Sequence, residues 1–159
     1  MVKSVSSMAR LANADPVTRA FMVLMQAANA LPKYADSRFH GALKLSLSKY
    51  VALLVLAVNG GKMRPIHLAA WTGTRRHNIT TLVDRMSREG LVVARRSEKD
   101  RRVVEVSLTE AGREAYERAL PVARSIMAQV MSGVTREDAA RLEKVLQSLM
   151  ANVAGTAAP

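Results

Sequence analysis

A chain of 159 residues with 49% hydrophobic and 23% charged residues is long enough to bury a core without staples, and too apolar to be disordered throughout. The absence of cysteine excludes disulfides, thiolate catalysis, Cys-ligated zinc and thiol redox sensing. With 24 Lys and Arg against 13 Asp and Glu, the net charge of +11 points to a polyanionic partner, either nucleic acid or an anionic membrane surface.

Residues 1–14 read as a loose arm and 154–159 as a frayed tail. Nothing after Lys3 reads as a secretory signal. The longest apolar run, Val51 to Val58, falls far short of the ~20 residues a spanning helix needs, so a soluble protein is expected, and a reducing cytoplasm suits a cysteine-free chain. Asp15-Pro16 reads as an N-cap followed by proline at the first helical position. Val17, Phe21, Leu24, Met25, Ala28 and Leu31 then recur at three- and four-residue steps, an amphipathic helix. Pro32 is expected to end or kink it, a second helical piece to cover Lys33 to His40, and Gly41 to break it.

Ser46 caps a helix to about Asn59, where Asn59-Gly60-Gly61 is a stop signal. Pro65 opens a short helix to about Trp71, and Gly73 forces a turn. Thr74 caps a helix of about Arg75 to Glu89, with Ile79, Leu82, Val83 and Met86 as one buried stripe, and Gly90 closes it. LVVARR (91–96) and RRVVEVSL (101–108), around the polar SEKD (97–100), read as a β-hairpin in which Val104, Val106 and Leu108 alternate with Glu105 and Ser107. Thr109 caps a long helix with Ala115, Ala119, Val122, Ile126 and Val130 as its stripe. Pro121 is expected to bend it, and Ser132-Gly133 to end it. Thr135 and Asp138 have the spacing of a capping box before a last helix carrying Leu142, Val145, Leu146, Leu149, Met150 and Val153.

The order makes a mainly α chain. Two helices around a tight glycine turn, followed at once by a hairpin, form a winged helix-turn-helix. Its second helix suits a major groove, and its hairpin tip the neighbouring minor groove or phosphates. Between Thr74 and Arg102 stand nine basic residues against four acids, at the start of that helix and at the hairpin. With the apolar stripe facing the core, His77, Thr81, Asp84, Arg85 and Arg88 point outward, and Asn78 and Thr80 lie on the flanks. Asn78 suits an adenine edge, and Arg75 or Arg76 suits guanine or phosphate.

LVDRMSREGL (82–91) followed by DRRVVEVSLTEAG (100–112) is similar to the winged-helix core of the MarR (multiple-antibiotic-resistance regulator) family. The resemblance is specific over residues 62–113 and rests on helix order elsewhere. It implies a homodimer interlocked through its first and last helices, at 15–40 and 109–153, with residues 46–108 as the DNA-binding lobe of a single domain spanning 1–159. It also implies repression from a pseudo-palindromic operator and release by a small, often phenolic or anionic, effector. Arg102, with Arg101 beside it, would then enter the minor groove, and Asp100 would orient the wing arginines. The turn departs from the family pattern: Thr72 replaces the usual leucine before Gly73, and Arg75 stands where a small capping residue is usual.

Duller roles compete. Arg88, Arg95 and Arg96 serve either to neutralise or to contact phosphates. His40, His67 and His77 are scattered without metal-ligand spacing, so no metal and no cofactor is expected. Nine methionines fill core and interface, or line an adaptable ligand pocket near Phe21, Met25, Phe39 and Trp71. No nucleophile–base pair, phosphate loop or catalytic carboxylate pair is present, which argues against an enzyme. The rival functions are a nucleic-acid binder without sequence preference and a winged-helix protein-interaction module.

Overall fold

The structure is a computed structural model that describes residues 15–72, 76–97 and 102–156; for Arg76, His77 and Thr156 it describes the backbone only. The chain divides into two compact units, one ending at Arg124 and one beginning at Ser125. Helix α1 (Pro16–Leu43) opens the first unit, followed by α2 (Leu47–Val58), β1 (Lys62–Met63), α3 (Pro65–Thr72), α4 (Arg76–Arg88), β2 (Val92–Arg96) and β3 (Val104–Leu108). Helix α5 (Glu110–Val130) begins in this unit, and α6 (Arg136–Thr156) belongs to the second.

Helix α1 starts as expected. The Asp15 carboxylate accepts from the amides of Val17 and Thr18 at 2.9 and 3.1 Å and from the Thr18 hydroxyl. These bonds, the Thr18 hydroxyl's first, hold its pKa below the usual carboxylate value. The helix does not end at Pro32, and the expected break at Gly41 fails, because one helix runs through both residues. Pro32, which cannot donate to the Ala28 carbonyl, is exposed, as is Ala28. The stop comes at Lys44, a non-glycine residue in the left-handed region (φ 54°) whose N–H donates to His40 O at 3.0 Å. The corner that follows is specified from both sides. Leu45 is buried, Ser46 Oγ accepts from Lys49 N, and the Asp36 carboxylate on α1 accepts from Leu47 N at 2.7 Å.

The core of the first unit is built on α2, where Ala52, Leu53, Val55 and Leu56 are buried. Leu68 from α3, Ile79 and Met86 from α4, and Val92 and Val106 from the sheet are also almost wholly buried. Each of the large side chains contributes about 1.5–3 kcal/mol of transfer free energy. The expected stripe of α4 holds, with Leu82 half-buried at its edge. Phe39 of α1 stacks on Tyr50 of α2 at 4.4 Å between ring centroids, and Tyr50 lies 6.5 Å from Tyr116 of α5. Burial, with Tyr116 adding to it, pushes the Tyr50 phenol pKa up.

The sheet has a strand that the periodicity did not show. Its order is β1-β3-β2, all antiparallel, with Met63 opposite Val106 and Ala94 opposite Val106 on the other side. Alternation on β3 is incomplete. Val106 is buried and Leu108 half-buried, but Val104, toward the hairpin tip, is 45% exposed.

Helix α5 is continuous through Pro121. In the second unit Thr135 and Asp138 do form the reciprocal cap. Thr135 Oγ1 accepts from Asp138 N at 3.1 Å and donates to Asp138 Oδ2 at 2.6 Å. Leu142, Val145, Leu146, Leu149, Met150 and Val153 all lie exposed along α6 and form an apolar stripe.

Candidate nucleic-acid interface

Helix α4 and the β2–β3 hairpin carry a set of exposed cations, and the short helix α3 precedes α4 across the turn. Pro65 starts α3, and Arg64 O takes the first amides, from His67 and Leu68. At its other end the Thr72 hydroxyl donates to Leu68 O at 3.0 Å and reaches Ala69 O at 3.2 Å. Thr72 thus satisfies its own polar group inside the helix, which explains how a threonine serves before the turn. Gly73, Thr74 and Arg75 lie outside the described residues.

On α4, Asn78, Thr80, Thr81, Asp84, Arg85 and Arg88 are exposed opposite the buried Ile79, Val83 and Met86. The predicted contact residues Asn78, Thr81 and Arg85 therefore share a solvent face, and the backbone of Arg76 and His77 forms the first turn. The other end of α4 is fixed by Gly90 (φ +73°), with Leu91 N donating to Met86 O at 2.9 Å.

The hairpin departs at once from that end. Arg95 and Arg96 are exposed on β2, and Arg102 is exposed just before β3. Ser97 N donates to Val103 O at 2.8 Å and closes the base of the tip. Asp100 and Arg101, the expected wing-orienting residue and one of the expected contacts, lie outside the described residues. Of the proposed ligand-pocket residues, Phe39 is buried in the stack with Tyr50, whereas Phe21, Met25 and Trp71 are 60%, 55% and 65% exposed. Among the described residues no group of three or more His, Asp or Glu is placed to hold a metal ion, and no single helix is long and apolar enough to cross a membrane.

Two ion pairs at this face escaped the sequence reading. Lys62 Nζ lies 2.7 Å from Glu105 Oε2, tying β1 to β3. The Lys62 hydrogen bond, with lesser help from the Ser97 hydroxyl and the charge of Arg64, holds the Glu105 pKa down against partial desolvation. The second joins Lys49 at the start of α2 to Glu89 at the end of α4, with Nζ 2.7 and 2.6 Å from the two carboxylate oxygens. Neither pair follows a sequence period; only the tertiary fold brings them together.

The match to known proteins follows this geometry. A family model described as "MarR family" matches residues 43–103, which run from the end of α1 into the hairpin. The transcriptional activatory protein BadR of Rhodopseudomonas palustris is 30% identical over 147 residues, covering 89% of this chain and 82% of BadR. The chain belongs to the MarR family. The transcriptional repressor MprA of Escherichia coli is 27% identical over 105 residues; that match covers 65% of this chain and about 60% of the length of MprA. Among solved structures, Sco3205, a MarR family transcriptional regulator from Streptomyces coelicolor in complex with DNA, superposes with a TM-score of 0.76 at 24% identity, covering 89% of this chain and 88% of Sco3205. The winged helix-turn-helix is thus the MarR fold, with α3 and α4 as its two helices and β2–β3 as its wing.

Proposed function

We propose that this MarR-family protein is a sequence-specific DNA-binding transcription regulator and not an enzyme, a cytoplasmic homodimer that represses from a pseudo-palindromic operator. The observation that carries the reading is the exposed face of α4, bearing Asn78, Thr81 and Arg85, next to a wing with Arg95, Arg96 and Arg102 exposed. A helix of this size fits the major groove, and the flanking cations suit phosphates on either side. The net charge of +11 favours the same partner. Sco3205 lends support as a protein of this fold bound to DNA, and MprA as a relative described as a repressor.

Dimerisation has its own support. The α6 stripe leaves Val145, Met150 and Val153 at 56%, 73% and 69% exposure, and α1 leaves Val17, Phe21 and Val23 at 78%, 60% and 63%. Apolar rows this long are covered by a partner in a soluble protein. A two-fold dimer reads an inverted repeat, and a small-molecule effector near Phe21, Met25 and Trp71 would act by changing the spacing of its two reading helices. The test is selection from random duplexes. It should recover one inverted repeat with half-sites about 10 bp apart, bound ~10³-fold or more tightly than unrelated DNA. Equal binding to every duplex at moderate salt would rule the regulator out.

A further inference from the structure

We propose that the Lys49–Glu89 ion pair is the positioning device of the recognition helix, fixing the angle at which α4 is presented and thereby sequence discrimination more than affinity. The inference rests on the reading of α4 as the DNA-reading helix. Both carboxylate oxygens of Glu89 lie within 2.7 Å of Lys49 Nζ, and the Lys49 side chain is only 11% exposed while that of Glu89 is 41% exposed. A charge-assisted contact this short, to an ammonium that is nearly buried, ties the two helix ends together at a fixed distance.

The placement of the two charges says more. Lys49 is a cation in the first turn of α2, where the helix dipole favours anions, and Glu89 is an anion just past the last residue of α4, where it favours cations. Each charge is thus misplaced in its own helix and correctly placed only against the end of the other. The pair favours one crossing of α2 and α4 and penalises others, the way a buried polar pair contributes conformational specificity. An apolar contact at the same place would tolerate sliding, since dispersion has no preferred direction.

The consequence is amplified along α4. At ~1.5 Å rise per residue, Asn78 lies about 16 Å from Glu89. A ~5° rotation about the anchored end would carry Asn78 about 1.4 Å, beyond the ~0.5 Å tolerance of a contact that depends on its geometry. Phosphate contacts by long flexible arginines would survive such a rotation, and base-edge contacts would not.

Glu89→Gln adds one positive charge to the protein and Lys49→Met removes one, so the two variants separate positioning from electrostatics. Each is measured, with wild type and the double variant, for binding to the selected operator duplex and to a scrambled duplex of equal length, with circular dichroism and light scattering on every protein. The expected result is that both single variants stay helical and dimeric and each loses about tenfold in the operator-to-scrambled ratio, the scale of one base contact. The double variant should lose no more than either single one, because the pair acts as a unit. Ratios that move in opposite directions with the charge change, or that do not move while wild type discriminates, would overturn the inference. So would failure of both single variants to fold, which would make the pair a folding element. A wild-type protein that does not discriminate would instead remove the regulator reading, and this inference with it.

Discussion

Replacing Gly112 by alanine should be far more damaging than its small volume suggests. Gly112 is the third residue of α5, and a Cβ built there would lie 2.0 Å from the Leu91 carbonyl oxygen and 2.9 Å from Leu108 Cδ1. Ordinary carbon–oxygen contacts begin near ~3.3 Å, so backbone must move by more than about 1 Å. The Leu91 carbonyl cannot move alone, because it accepts from Thr109 N at 3.2 Å and Thr109 Oγ1 at 3.0 Å, and Thr109 Oγ1 in turn accepts from Gly112 N at 2.9 Å. Overpacking costs about 1–3 kcal/mol, and weakening two hydrogen bonds about 1 kcal/mol each. The better helix propensity of alanine returns about 0.5–1 kcal/mol. The net expectation is a loss of about 2–4 kcal/mol, or roughly 4–16 °C in Tm for a chain of this size. Urea and thermal unfolding at one fixed protein concentration would measure it, since the midpoint of a dimer depends on concentration. Gly41→Ala is the matched control. Gly41 is also helical but has nothing within 4 Å of its Cβ position, so it should stabilise by about 0.5–1 kcal/mol. If both substitutions stabilised alike, the close approach of α5 to the α4–β2 corner would be refuted.

Arg102→Ala should weaken operator binding by about 1–3 kcal/mol, read by fluorescence anisotropy, if the wing enters the groove; unchanged affinity would remove the wing from the mechanism. Glu105 has its folded pKa below the ordinary value of 4.5. Its contribution to stability is therefore fully present above pH 4.5 and is lost as pH falls through the lower folded value. Glu105→Gln should be less stable than wild type at pH 7, and the gap should close in acid; a gap independent of pH would assign the effect to packing. Met150→Glu together with Val145→Lys, on the exposed stripe of α6, should yield monomers by light scattering with the helical spectrum kept. A dimer that persists would place the interface elsewhere.

Most of the fold was legible because its signals are local. Asp15-Pro16, Ser46, Thr109 and Thr135 mark helix starts by side-chain chemistry, and Asn59-Gly60-Gly61 and Gly90 mark stops by φ > 0. What was missed depends on distant partners. Lys44 ends α1, although a glycine stands three residues earlier, because the buried Leu45 and the Asp36–Leu47 bond fix the corner from outside the helix. Strand β1 has two residues and hence no period, and it exists because β3 pairs with it, with Leu108 N of β3 donating to the carbonyl of Gly61 just before it. At the interface, the outward set Asn78, Thr81 and Arg85 followed from helical geometry alone. The Lys49–Glu89 and Lys62–Glu105 pairs span 40 and 43 residues and could only be found in three dimensions.

These attachments have a common address. Glu89 ties the end of α4 to α2, and Leu91 N returns to Met86 O. The carbonyls of Gly90 and Leu91 accept from Thr109 Oγ1, and Gly112 gives up a side chain so that α5 can approach the same carbonyl. The last turn of α4 is therefore held by α2, by its own cap and by α5, while its first turns expose Asn78, Thr80 and Thr81. A helix packed along one face through Ile79, Val83 and Met86 and tied at its last turn is suited to reading a groove, because the scaffold sets its direction without covering the residues on its other face.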